Sequence, residues 1–386
     1  MLNKDELVRG ALEYTGLTDF GTTQFHQPLD LLINALNTEA RLNDFGAFRA
    51  QMTISSGLNN RLKIQDYLNR HPEVQNEGVE RPIFIVGLPR TGTTALHHML
   101  NQDTQNHTLR LWEAQNPVPP PEAATYTTDP RIAKQQEGVS MTETFLPGFL
   151  QTHLIDAREP DECYMLLNRN FMSVEYSAMF HIPSYANWLY ENLCDSDSYA
   201  YHHQQLKLLQ SKRGGQWVLK APFHQLGLDG ILREYPDAII VQTHRHPETF
   251  VASGCSFSEL LRKSGSDYVD KSVVGRDWMD MLEVYTRTFE EARSRHELNC
   301  PGQFIDVYHD EFVDDPWPVI ESIYKASGKA LSEQGRGDMQ LWLDNNPKGK
   351  HGMHEYHLQD YGISTADVAA LFGDYIERYA LEGKKQ

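Results

Sequence analysis

Residues 82–94 read Pro82-Ile83-Phe84-Ile85-Val86-Gly87-Leu88-Pro89-Arg90-Thr91-Gly92-Thr93-Thr94. The short apolar run closing on a glycine reads as a buried parallel strand. Ala95, Leu96, Met99 and Leu100 then recur at helical spacing, so the glycine segment joins a strand to a helix. Its G-x-x-x-x-G spacing is that of a phosphate-binding loop, whose backbone N–H groups converge on an anion. The helix N-terminus behind it adds about half a positive charge. Thr93 and Thr94 offer hydroxyl donors to the same oxygens. Nucleotide triphosphatases place lysine after the second glycine. Here Thr93 holds that position and the cation is Arg90, inside the loop. A guanidinium forks two N–H donors onto phosphate or sulfuryl oxygens.

Three more apolar runs follow: Trp217-Val218-Leu219, Ala238-Ile239-Ile240-Val241 and Phe304-Ile305-Asp306-Val307. Helical patterns separate them, carrying Leu228, Ile231 and Leu232, then Trp278, Met281, Leu282, Tyr285 and Phe289. Strands alternating with helices predict an α/β fold, a P-loop-type parallel sheet flanked by helices. Residues 1–80 predict a helical N-terminal segment packed on the core. Leu31, Leu32, Ile33, Leu36 and Ala40 recur at helical spacing there, followed by Phe48, Met52 and Ile54. Residues 81–386 predict the nucleotide-binding domain. Residues 115–130 hold five prolines and read as a loop. Ser364 and Asp367 form a capping box that starts a last helix with a core face of Val368, Leu371, Phe372, Tyr375 and Ile376.

PIFIVGLPRTGTT resembles the 5′-phosphosulfate-binding loop of the sulfotransferase family, in the arginine form of many bacterial members and of tyrosyl-protein sulfotransferases. The resemblance runs on through LRLWEAQNPVPPP, WVLKAPFH, IIVQTHRHPETFVAS, VYHDEFVDDPWPVIESIY and KGKHGMHEYHLQDYGIS. It implies the donor 3′-phosphoadenosine 5′-phosphosulfate (PAPS), with PAP as product, and Pro89, Arg90, Thr91, Gly92, Thr93 and Thr94 around the 5′-phosphosulfate. Arg245 ends the third apolar run, and Ser253 lies eight residues later on a helix begun by Pro247. An arginine and a serine so placed can converge on one dianion, and the family uses this spacing for the 3′-phosphate. Lys350, beside Lys348 and His351 in a glycine-containing stretch, resembles the family's basic loop over that phosphate, without its usual Arg-Lys-Gly order. The bland alternatives are an ion-pairing Arg245, a helix-filling Ser253 and a solvated Lys350.

Sulfuryl transfer is an in-line displacement that needs a base for the acceptor hydroxyl and cations for the leaving oxygen. Arg90 is the first cation. Lys220, ending the second run, is the other, at the sheet edge where such sites form. Two residues compete for the base. Glu113 lies 23 residues after Arg90, similar to the catalytic glutamate of tyrosyl-protein sulfotransferases. His224 lies four residues after Lys220 and resembles the histidine of cytosolic members, where the gap is two. Glu159, Asp161 and Glu162 read as a solvated helix start or as acceptor-pocket acids. Residues 144–201 are rich in aromatic and methionine side chains, among them Phe145, Phe149, Phe171, Met172, Tyr176, Met179, Phe180, Trp188 and Tyr190. These are more often core than pocket. If some line a pocket, the acceptor is a small apolar alcohol or phenol.

The remaining readings bound the function. The 386 residues carry a net charge of -18, which disfavours nucleic acid and anionic lipid as partners. Cys163, Cys194, Cys255 and Cys300 lie far apart and read as buried thiols of a reducing compartment. The charged, amphipathic start and the lack of a long apolar stretch predict a soluble cytoplasmic protein without a membrane span. No metal-ligand motif is present, so no metal is expected. A homodimer stays open. The competing functions are a P-loop nucleotide kinase or NTPase-like protein and a non-catalytic nucleotide-binding protein.

Overall fold

The structure, a computed structural model, describes residues 1–149, 155–300, 302–346 and 356–384. The chain forms two compact units. One comprises Met1–Val79, Leu109–Gly214 and Leu260–Val269; the other comprises Glu80–Thr108, Gly215–Glu259 and Asp270–Gln386. Among the described residues no helix is long and apolar enough to cross a membrane.

The second unit holds a five-stranded parallel sheet: β1 (Ile83–Gly87), β2 (Asn106–Thr108), β3 (Gln216–Lys220), β4 (Ile239–His244) and β5 (Phe304–Tyr308). The order is β2-β3-β1-β4-β5, so β1 lies in the middle and all five of its residues are buried. That explains its unbroken apolar run. Ile83 and Ile85 pack with Val218, Val241 and the apolar side of a helix, Leu96, Met99 and Leu100. Phe84, on the opposite face of the strand, meets His224 edge-on at 5.1 Å and Tyr235 at 5.3 Å. The four apolar runs of the sequence are all strands. β2 is a polar edge strand of three residues, Asn106-His107-Thr108, and has no apolar signal to find. The capping box is present as read: Asp367 N donates to Ser364 Oγ at 3.1 Å and Ser364 N to Asp367 Oδ2 at 2.8 Å.

The first unit is helical: α1 (Lys4–Thr15), α2 (His26–Thr38) and α3 (Asp44–Arg70), then, after β1, α4 (Thr93–Leu100) of the sheet unit, α5 (Leu111–Gln115) and α6 (Pro130–Phe145). Leu32, Leu36 and Ile54 are buried as their spacing suggests, but Phe48 and Met52 stand 57% and 54% exposed on α3. Their apolar character follows the helical period without being spent on the core. The proline-rich stretch is irregular apart from one turn at Ala123–Thr125. Arg131 anchors it, donating to Asn116 O at 2.8 Å while lying over the Trp112 ring. No disulfide joins the cysteines; Cys163 and Cys255 are buried, but Cys300 is exposed, against the expectation that all are buried. Glu159, Asp161 and Glu162 do not begin a solvated helix. Asp161 is buried, its N–H bonded to Leu109 O, and the next helix starts at Tyr164.

Two stability predictions follow from this packing. A Cβ on Gly254 would lie 2.1 Å from the Trp278 ring, inside contact distance. Gly254→Ala should therefore lower the unfolding free energy by about 1–3 kcal/mol, read from denaturant melts; an unchanged midpoint would contradict this packing. Burial, aided by Asp161, raises the Glu175 carboxyl from 4.5 to about 7, against the opposing pull of Asn168 and Arg49. The folded state thus binds a proton there that the unfolded state releases, and stability falls as pH rises through that window. Glu175→Gln cannot titrate, so its melting temperature should gain on the wild type between pH 5 and pH 8. A difference that does not change with pH would refute this.

Candidate functional site

In the sheet unit, the C-terminal ends of β1, β3, β4 and β5 share one edge because all strands are parallel. The loop after β1 is held by a hydroxyl pair. Thr91 Oγ1 donates to Leu88 O at 2.7 Å and lies 2.6 Å from Thr243 Oγ1 on β4. Gly87 pairs directly with Thr243 and has φ 145°. A Cβ there would lie 2.2 Å from Thr243 Oγ1, so only glycine lets the loop close on β4. Gly92 starts α4 with φ 97°, and Arg90 itself sits in the left-handed region at φ 72°. Arg90 and Thr94 are exposed, while Thr91 and Thr93 are buried. The Thr91 hydroxyl thus serves the loop's own shape and leaves its backbone to face a ligand.

Three of the sequence's cations meet at this edge. Lys220, buried at the end of β3, donates to Thr94 Oγ1 at 3.5 Å. Arg245, just past β4, donates from Nη1 to Arg90 O at 3.2 Å. Its Nε is buried with no hydrogen-bond partner among the described residues. Burial lowers the Arg245 pKa, Asp310 opposes that, and Arg90 adds to it by charge repulsion. The Arg245 guanidinium thus lies against the loop backbone at Arg90, close enough for the two positive charges to oppose each other. Ser253 lies partly buried in the first turn of the helix Val251–Gly265 that follows Arg245.

The two base candidates are placed differently. His224 is fully buried in the turn Pro222–Gly227 and packs on Phe84, on the face of the sheet opposite Ile83 and Ile85. Lys220 shares the face of Val218, two residues before it. Glu113 belongs to the helical unit and is fully buried. Its Oε1 accepts from Arg110 N at 3.0 Å and from the Tyr126 hydroxyl at 2.8 Å. Arg213 covers the Tyr126 ring at 3.9 Å. Glu113 is thus neither a surface carboxylate nor a free acid, and the sequence reading missed Tyr126 because it lies in a stretch that reads only as loop. Thr243 was missed too; its role depends on strand register, which no motif spells. Lys350 lies outside the described residues. Of the aromatic candidates, Phe171, Met172, Tyr176, Met179 and Phe180 are buried, whereas Phe145 is 50% exposed.

Comparison with known proteins places the chain in a family. Residues 82–333 match the sulfotransferase family. The sulfotransferase STF1 of Mycobacterium tuberculosis H37Rv has a similar structure, with TM-score 0.86 and 33% identity over 97% of this chain and 99% of that one. The sulfotransferase STF9 of Mycobacterium avium gives TM-score 0.91 and 27% identity over 100% and 99%. By sequence, the omega-hydroxy-beta-dihydromenaquinone-9 sulfotransferase Stf3 of Mycobacterium bovis is 21% identical over 315 residues, 78% of this chain and 75% of its own. With the family model matching well over half of the chain, the chain belongs to the sulfotransferase family and is a sulfotransferase.

Proposed function

We propose that the donor is PAPS and that the acceptor is a hydroxyl on a small, largely apolar alcohol or phenol. The observation that carries the donor reading is the approach of Arg245 to Arg90, with a buried guanidinium N–H left over. In this reading residues 89–94, Pro89 to Thr94, wrap the 5′-phosphosulfate. Arg245 and Ser253 take the 3′-phosphate, Lys350 covers it, and the donor-binding part of the chain begins near residue 81. The acceptor oxygen attacks sulfur, the bond from sulfur to the bridging oxygen breaks, and that electron pair leaves on the 5′-phosphate of PAP. Arg90 and Lys220 balance the charge growing on the leaving oxygen, so the step as written calls for no metal. Support for an apolar acceptor comes from the relative named for a dihydromenaquinone.

Glu113 is the base in this proposal. Two donors on Oε1 fix the carboxylate's orientation, as a proton acceptor needs. His224 is the rival, and its place on the Phe84 face, away from Lys220, counts against it.

Calorimetry with PAP tests the donor site. PAP should bind at micromolar concentration or tighter without added metal, and Arg245→Ala should weaken it about ten- to a hundredfold while barely touching adenosine 5′-monophosphate. Equal losses for both nucleotides would remove Arg245 from the 3′-phosphate. Steady-state kinetics test the base. Glu113→Gln should lower turnover ~10²–10⁴-fold with PAP affinity kept, and His224→Asn should keep most activity. The reverse outcome would make the histidine the base and leave Glu113 as the cap of α5.

A further inference from the structure

The helical unit contains a cavity of about 260 Å³. One wall is α3, through Met52, Ser56 and Asn60; the other includes Gln115 of α5, Asn168 and Glu175. Asn60 Nδ2 ties the walls together, donating to Gln115 O at 3.0 Å. The lining is rich in hydrogen-bond acceptors. Asn168, 8% exposed, gives its Nδ2 to Glu175, and its Oδ1 is buried with no partner. Arg169 lines the cavity as well, but it gives Nη1 to Gln205 and Nη2 to the Ala114 carbonyl, and the Glu175 carboxyl beside it, raised to about 7 chiefly by burial, adds no attraction for an anion. The volume is below the roughly 300–1,000 Å³ of drug-sized pockets and suits a single ring, not a whole lipid.

The cavity continues outward into an apolar strip. Met52 lines the cavity and is 54% exposed; Phe48, one turn earlier on α3, is 57% exposed. Phe45 lies 6.5 Å from Phe48 and stacks at 5.3 Å on Phe145 of α6, where Met141 is exposed as well. Exposed side chains this large, contiguous over two helices, mark a binding surface.

We propose that this cavity recognises the acceptor, and that the acceptor is an uncharged amphiphile whose hydroxyl-rich head enters between α3 and α5 while its aliphatic tail lies along Met52, Phe48 and Phe145. The assignment rests on the reading of the chain as a transferase to alcohol hydroxyls, and sharpens it. Gln115 lies two residues after Glu113 on the same short helix, so a head held there lies against the element that carries the proposed base. The head donates to the Glu175 carboxyl; the strip desolvates the tail.

Octyl β-D-glucoside and methyl β-D-glucoside, below micellar concentration, are the probes. Binding is measured by saturation-transfer NMR and calorimetry, with PAP calorimetry alongside. Both should bind the wild type, the octyl form about tenfold more tightly because part of its chain is buried. Ser56→Phe fills the cavity and should weaken both at least about tenfold; Ser56→Leu serves if the phenylalanine variant does not fold. Phe48→Ser should remove the octyl advantage alone. PAP affinity should stay unchanged in all three. With PAPS supplied, octyl glucoside should provoke PAP release by the wild type, and at least about tenfold less by Ser56→Phe. Glucosides that miss the wild type, bind the filled variants equally, or bind without provoking PAP release overturn the proposal. Glucoside binding that follows this pattern in a protein unable to bind PAP supports the cavity site and defeats the donor reading instead.

Discussion

The register of β1 against β4 sets Gly87 beside Thr243, and the rest of the sheet edge depends on that contact. With no Cβ at Gly87, the Thr243 hydroxyl reaches Thr91 at 2.6 Å and clamps the loop onto the neighbouring strand. Arg90 precedes Thr91 and Arg245 lies two residues beyond Thr243, so the same clamp brings the two arginines together. A larger residue at Gly87 would open the loop and separate them in one step. The two proposed phosphate grips are therefore one mechanical unit, fixed by strand pairing and two hydroxyls rather than by long side chains.

The far side of that clamp is held by buried polar groups. His244, between Thr243 and Arg245, is fully buried. Its Nε2 meets Asp306 at 2.8 Å and its Nδ1 meets the Tyr375 hydroxyl at 3.0 Å. Arg293 grips both oxygens of Asp306, at 2.6 and 2.9 Å. The Asp306 carboxyl is held well below its usual range by Arg293 and His244, which outweigh burial. Burial lowers the His244 pKa, against the pull of Asp306. The consistent tautomer has Nε2–H donating to Asp306 and Nδ1 accepting from Tyr375. Such a network is stable only when every member is satisfied. It fixes the backbone leading into Arg245 without placing a second mobile charge beside it.

How much of this was legible depended on whether a feature leaves a local trace. Four strands left apolar runs, and β2, short and polar, left none. The phosphate loop was legible because its function needs glycine spacing and a nearby cation in consecutive residues. Glu113 was singled out by its distance from Arg90, but its burial and its bond to Tyr126 depend on how a proline-rich stretch folds back, which spacing does not encode. Phe48 and Met52 follow the helical period of core residues and are exposed. Periodicity reports which face of a helix is apolar, and not whether the protein itself covers that face.

The charge distribution bears on how the cations stay so close. A chain of net charge -18 supplies a diffuse negative field that eases the clustering of Arg90, Lys220 and Arg245 at one edge. That field is screened over about 8–10 Å at physiological ionic strength, so it does not replace a contact ion. Asp310 partly offsets the Arg245 charge, yet burial and Arg90 prevail in lowering its pKa. The local preference for an anion therefore survives in a globally acidic protein. An anionic ligand approaching from solution meets a net negative surface and a local cluster of cations at this edge. In the proposed site, a ligand whose negative groups reach both arginines at once would gain more than a single phosphate.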